Sequence, residues 1–158
     1  MNELKKIKNI AIAVFIPLFI GLLSGYLTAE AMEMYQNLEQ PAFSPPGWIF
    51  GPAWIILYIL MGYASYRVWE RREKYKVNTA LTYYGVQLVF NFFWSLIFFR
   101  FQLRGLALLE IFILLTLIII TTIKFYKIDK WAAYLLFPYI GWVGFATILN
   151  YSIWILNR

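Results

Sequence analysis

The chain has 158 residues and a formal net charge of +6; 62% of it is hydrophobic and 21% aromatic, an apolar share well above that of a soluble domain. It contains no Cys and no His, which removes disulfides, thiolate metal sites, a cysteine nucleophile, an imidazole base and a histidine haem ligand. Its 14 basic residues cluster between hydrophobic runs, the pattern of membrane-flanking charge and not the basic stripe of a nucleic-acid binder.

Five runs reach the roughly 20 apolar residues needed to cross a bilayer: 7–28, 48–69, 79–100, 104–125 and 131–154. The expected fold is an all-α, five-helix transmembrane bundle forming a single domain over 1–158, with 29–47 as its one long loop. The first run follows "KKIK" and precedes Ala29-Glu30-Ala31, like a signal peptide before its cleavage site. Its apolar core of about 20 residues exceeds the roughly 7–15 of such a signal, and Pro17, Gly21 and Gly25 suit a packed membrane helix. The G-x-x-x-G spacing of Gly21 and Gly25 marks close helix contact, within the chain or in a homodimer.

Lys5, Lys6 and Lys8, the connection from Arg67 to Lys76, and Lys124, Lys127 and Lys130 place eleven bases on one side; Arg100, Arg104 and Arg158 leave three on the other. That asymmetry predicts a cytoplasmic N-terminus and an outward C-terminus and first loop. A bacterial cell membrane is the expected location.

The entry to the second run, "PAFSPPGWIFGPAW" (41–54), holds four prolines, two glycines and four aromatics. Pro45, Pro46 and Gly47 read as the end of the loop. Phe43 and Trp48 read as interfacial anchors, and Trp54 has passed inside. Pro52 means that the regular helix starts later than the apolar run or is kinked there. Trp48, Trp69, Trp131 and Trp154 lie at run ends, as belt residues do.

Within the runs, Gln87, Asn91, Trp94 and Phe98 share one helical face by their spacing. Amides at membrane depth need partners or a cavity. Trp142, Ala146, Leu149 and Asn150 form a second face, and Trp54, Tyr58 and Met61 a third. Pro138, one turn before Trp142, frees a backbone carbonyl, which kinks the helix or needs a partner. At about 1.5 Å of rise per residue, Trp54 lies roughly 10 Å from the outer surface, level with Asn91, Trp94, Trp142, Ala146, Gly21, Gly25 and Glu110. Glu110 reads as a carboxylate favoured near a helix N-terminus. One shared layer implies a cavity between helices, lidded by the first loop.

On these residues the whole chain resembles the TspO/MBR family, the tryptophan-rich sensory proteins and mitochondrial translocator proteins. Pro41 to Trp54, "LYILMGYASYRVWE" (57–70), "YGVQLVFNFFWSLIFF" (84–99) and "LLFPYIGWVGFATILNYSIW" (135–154) carry the resemblance in the family's order. Phe43 and Phe92 stand where members often have Trp. The resemblance implies a five-helix bundle, often dimeric, that binds tetrapyrroles such as protoporphyrin IX and, in some members, benzodiazepine-type drugs. It implies tryptophans at Trp54 and Trp142, the helix-three Asn at Asn91 and the small residue at Ala146. Ligand-binding candidates are therefore Trp54, Tyr58, Gln87, Asn91, Trp94, Trp142, Ala146, Leu149 and Asn150, under a lid bearing Phe43, Pro45, Pro46 and Trp48. Sterol binding is not expected: six residues separate Tyr151 from Arg158, one too many for the L/V–Tyr–K/R pattern, which Leu60-Tyr63-Arg67 meets on the opposite side. No cofactor is required. Two further readings stay open: light- and oxygen-dependent breakdown of protoporphyrin, with Trp54 and Trp142 involved, and an assembly protein without transport.

Overall fold

The computed structural model describes residues 2–158. Helix α1 (Glu3–Thr28) is capped by the Asn2 side chain, which accepts from the Leu4 amide. A short helix α2 (Ala31–Gln36) and a 3-10 turn (Gly47–Ile49) lead into α3 (Phe50–Glu70). Helix α4 (Asn78–Ser95) ends in a π-turn (Leu96–Arg100), and α5 (Arg104–Tyr126), α6 (Lys130–Tyr134) and α7 (Phe137–Leu156) complete the chain. No strand occurs among the described residues.

Five segments are long and apolar enough to cross a membrane: Glu3–Thr28, Gly47–Glu70, Asn78–Arg100, Arg104–Tyr126 and Lys130–Leu156. Each agrees with an expected run to within a few residues. Helices are the outcome because the hydrocarbon offers no water to the backbone, so each segment must satisfy its own N–H and C=O groups. Buried hydroxyls do likewise: Thr28, Thr122 and Thr147 each donate to the carbonyl four residues earlier.

Three connections differ from, or resolve, the expectations. The 29–47 segment is not wholly loop, since it contains α2. Pro52 falls in the first turn of α3, where an N–H has no helical partner to lose; the regular helix starts at Phe50, later than the apolar run, and the 3-10 turn precedes it. The interruption expected near Pro138 takes the form of a break in the turn before it. The fifth span is broken at Leu135–Leu136, and Pro138 sits in the first turn of α7, so its missing N–H again costs little. Between α4 and α5 the chain reverses in three residues, with Gln102 in the left-handed region at φ 56°.

The end of the bundle that carries the basic connections is tightly closed. Asp129 N-caps α6 through the Trp131 amide (2.9 Å) and accepts from Nε of Arg67 (2.9 Å) and of Arg71 (3.1 Å), joining the α5–α6 connection to α3. Burial opposes the charge on Asp129, but the Arg67 hydrogen bond and the two guanidinium charges outweigh it and hold the carboxyl below its ordinary value. Nearby, Gly62 lets α3 press directly on α1. A Cβ there would stand 2.6 Å from the Val14 Cα and 2.7 Å from the Ala13 carbonyl oxygen. Pro17, four residues on, has no N–H to return to that carbonyl, and α3 fills the space beside it.

Candidate functional site

At the opposite end, nearer the 29–47 segment, the helices part around a cavity of about 360 Å³, within the usual range for small-molecule sites. Helix α1 supplies one wall with Gly21, Ser24 and Gly25; α3 supplies Phe50, Trp54 and Tyr58; α7 supplies Trp142, Ala146 and Asn150. Trp94, Phe98 and Phe99 come from α4 and its π-turn, and Met32 and Tyr35 of α2 cover the end. None of the lining residues is charged.

The aromatic wall is ordered by ring contacts. Trp54 stacks on Tyr58 (centroids 5.6 Å apart, planes at 26°) and meets Trp142 edge-on at 6.4 Å and 89°. Phe50 meets Trp142 at 5.9 Å, and Trp94 stacks on Phe98 at 5.3 Å. These spacings fall in the favourable range for aromatic pairs. The two large indoles differ in restraint. Trp94 donates from Nε1 to Asn150 Oδ1 (3.1 Å), and Asn150 donates from Nδ2 to the Arg104 carbonyl (3.0 Å), pinning that wall to the start of α5. The Trp142 N–H is buried with no hydrogen-bond partner.

The floor is a polar chain. Tyr58 donates to Asn91 Oδ1 (2.7 Å), Asn91 donates from Nδ2 to the Tyr139 oxygen (2.8 Å), and Tyr139 donates to Gln87 Oε1 (2.6 Å). Gln87 and Asn91 are only 1% and 2% exposed, and neither lines the cavity. Their amides bond protein groups and hold the Tyr58 ring as a floor, as interhelical hydrogen bonds do in membranes. The other seven candidates (Trp54, Tyr58, Trp94, Trp142, Ala146, Leu149 and Asn150) all line one cavity.

The loop residues divide differently from the expectation. Phe43 lies half-exposed, edge-on to Phe145 at 6.2 Å, and Trp48 is 74% exposed. Pro45 borders a shallow groove on the far side of Trp142, and neither Pro45 nor Pro46 touches the cavity. The covering residues are Met32 and Tyr35, in a helix too short and too polar for its periodicity to stand out in the sequence. Phe50, one turn before Trp54, is not among the candidates, although its spacing of four puts it on the same helical face. Among the span-end tryptophans, Trp131 is exposed, Trp69 carries the Arg72 guanidinium 3.6 Å from its ring, and Trp154 lies below Arg158 at 5.8 Å.

Within the chain, Gly21 and Gly25 do not act as one packing face. A Cβ at Gly21 would collide with the Tyr58 ring, so glycine admits that ring against α1, whereas Gly25 has nothing within 4 Å. Glu110 lies six residues into α5, beyond the first turn where a helix dipole acts. It is 8% exposed, neither of its carboxyl oxygens has a partner, and it does not line the cavity.

Comparison with known proteins agrees with this architecture. The TspO/MBR family profile matches residues 13–155. The chain is 39% identical over 158 residues to the tryptophan-rich protein TspO of Archaeoglobus fulgidus, covering 99% of each chain. It is 37% identical to the human translocator protein, over 86% of this chain and 80% of that one. With the tryptophan-rich sensory protein of Cereibacter sphaeroides it shares 36% identity over 79% and 77% of the two chains. The chain is an integral, multi-pass membrane protein and belongs to the TspO/MBR family.

Proposed function

We propose that this chain is a membrane sensor or transporter that binds a flat, largely apolar molecule of the tetrapyrrole class, such as protoporphyrin IX, in the cavity between α1, α3, α4 and α7. One observation carries the reading: an uncharged cavity walled by the edge-on pair Trp54 and Trp142, with Tyr58 stacked beneath. Planar conjugated ligands gain from offset or edge-on contact with such rings. The family resemblance supports the same ligand class, and the asymmetry of eleven bases against three supports an outward-facing cavity end.

Protoporphyrin IX titrated against intrinsic tryptophan fluorescence tests the reading. Saturable quenching is expected, weakened at least tenfold in Trp54→Ala and in Trp142→Ala. Unchanged affinity in both variants would reject the cavity as the site. A second reading, breakdown of the porphyrin by light and oxygen, draws support from the stacked, oxidisable pair Trp54 and Tyr58. Comparing porphyrin spectra over time in light and in darkness separates the two, because a pure binder leaves the spectrum of the bound ligand unchanged.

A further inference from the structure

The seam between α1 and α3 is closed at one end and open at the other. At Gly62, α3 lies against the α1 backbone, and at Gly21 the Tyr58 ring fills the gap. Eleven residues before Gly62, about 16 Å along the helix, Gly51 has nothing within 4 Å, and neither has Gly25 opposite it on α1. Leu22, Gly25 and Tyr26 of α1, and Gly51 and Ile55 of α3, line the cavity and are exposed, Leu22, Tyr26 and Ile55 by 64%, 80% and 45%. Both helices are membrane spans. The cavity therefore has a side window at a depth where the surroundings are lipid.

The end under the 29–47 segment is tied shut. Tyr35 is buried among Phe50, Phe98 and Phe99 at 5.3–6.1 Å, and Gln40 donates from Nε2 to its carbonyl (3.0 Å). Asn157, at the end of α7, accepts from the Glu39 amide (3.0 Å) and donates to the Glu39 carbonyl (2.8 Å). Arg100 donates to the Leu27 carbonyl (3.0 Å), holding the end of α1 to the π-turn. Opening this end requires breaking several polar contacts and withdrawing a buried tyrosine; the side window requires only the displacement of lipid.

We propose that the site is loaded laterally from the bilayer, between Gly25 of α1 and Gly51 of α3. This inference rests on the binding function proposed above and narrows its ligand class to molecules that partition into membranes. With no charged residue in the cavity, an uncompensated carboxylate inside it would be costly. The apolar face of the ligand enters first, and any carboxylate edge remains at the window, toward the headgroups.

The test uses the full chain in lipid vesicles, with protoporphyrin IX as the probe and stopped-flow tryptophan quenching as the readout. A Cβ at Gly25 or at Gly51 meets nothing within 4 Å, so Gly25→Leu and Gly51→Leu each start a side chain in open space. The absence of cysteine allows a single engineered disulfide, Glu39→Cys with Asn157→Cys, to lock the loop when oxidised. The expected result is that both Leu variants slow association at least tenfold. The oxidised loop lock is expected to leave association within twofold of its reduced form. The route is overturned if the lock slows association tenfold while both Leu variants bind at the normal rate. It is also overturned if the Leu variants weaken Kd through dissociation alone. Loss of saturable binding in the unmodified chain would instead reject the binding function, and the route with it.

Discussion

The two halves of the bundle use the same kinds of residue to opposite ends. In the half near Asp129, Gly62 brings two backbones into contact, Asp129 is paired with Arg67 and Tyr139 with Gln87, and Met61, Ala64 and Val68 are fully buried. In the half near the 29–47 segment, Gly25 and Gly51 face empty space and the large aromatic rings surround a cavity. Dispersion and hydrogen bonds between helices are the main cohesive forces in lipid, so a half that gives up packing for a cavity must be held by the other. The closed half is the anchor, and the open half is free to receive a ligand.

The sharpest way to break that division is Gly62→Ala. The new methyl would meet backbone atoms of α1, which cannot rotate aside as a side chain can. A loss of about 3 kcal/mol is expected, at the upper end of overpacking costs, seen as a lower Tm in detergent. An unchanged Tm would show that the α1–α3 contact is not an anchor.

Next in size is Asp129→Asn, expected to cost about 2 kcal/mol. Breaking a buried ion pair costs more, but Arg67 and Arg71 are 25% and 43% exposed, and solvent screens them. The dependence on pH has a definite sign. Because the folded carboxyl titrates below its ordinary value, its contribution is complete above the unfolded value of about 3.9 and is lost as pH falls through the folded one. The unmodified chain should therefore lose Tm below about pH 4 more steeply than Asp129→Asn. Parallel curves would remove Asp129 from the anchor.

Tyr139→Phe probes the boundary between the halves. It strips partners from Gln87 Oε1 and Asn91 Nδ2 while leaving the cavity lining intact. A cost of about 2 kcal/mol follows, the low end for two buried polar atoms left unpaired; Tyr58 keeps its bond to Asn91, so ligand affinity should change less than threefold. A large loss of affinity would instead mean that Asn91 cannot hold the Tyr58 floor without Tyr139 behind it.

The same boundary separates what the sequence made legible from what it did not. Run length and flanking charge expose all five spans, because lipid imposes its own length scale on a helix. Helical spacing also gathers Trp54, Trp94, Trp142, Ala146, Leu149 and Asn150, since residues three and four apart must share a face. Spacing cannot tell which side of a layer an amide faces. Gln87 and Asn91 lie on the cavity's helical face, yet they turn toward Tyr139. Nor does it show a contact between elements distant in sequence: Gly62 against Ala13, Asn157 against Glu39, and Asp129 beneath two arginines all depend on how the helices cross. Pro138 announced an interruption but not its form, because proline at a helix start and proline in mid-helix look alike without the break at Leu135–Leu136.

The smallest expected effect is the most specific test of the division. Gly25→Ala adds the same methyl as Gly62→Ala, on the partner helix of the same seam, but the methyl meets nothing within 4 Å. Replacing a helical glycine by alanine relieves backbone entropy, so a gain of up to about 0.5 kcal/mol is expected. A methyl is also too small to block the window, and ligand association should stay within twofold. If Gly25→Ala destabilises the protein as Gly62→Ala does, the seam is closed along its whole length, and the open half does not exist as described. If it raises Tm slightly while Gly62→Ala lowers it, one chemical change with opposite signs 37 positions apart locates the point where packing gives way to binding.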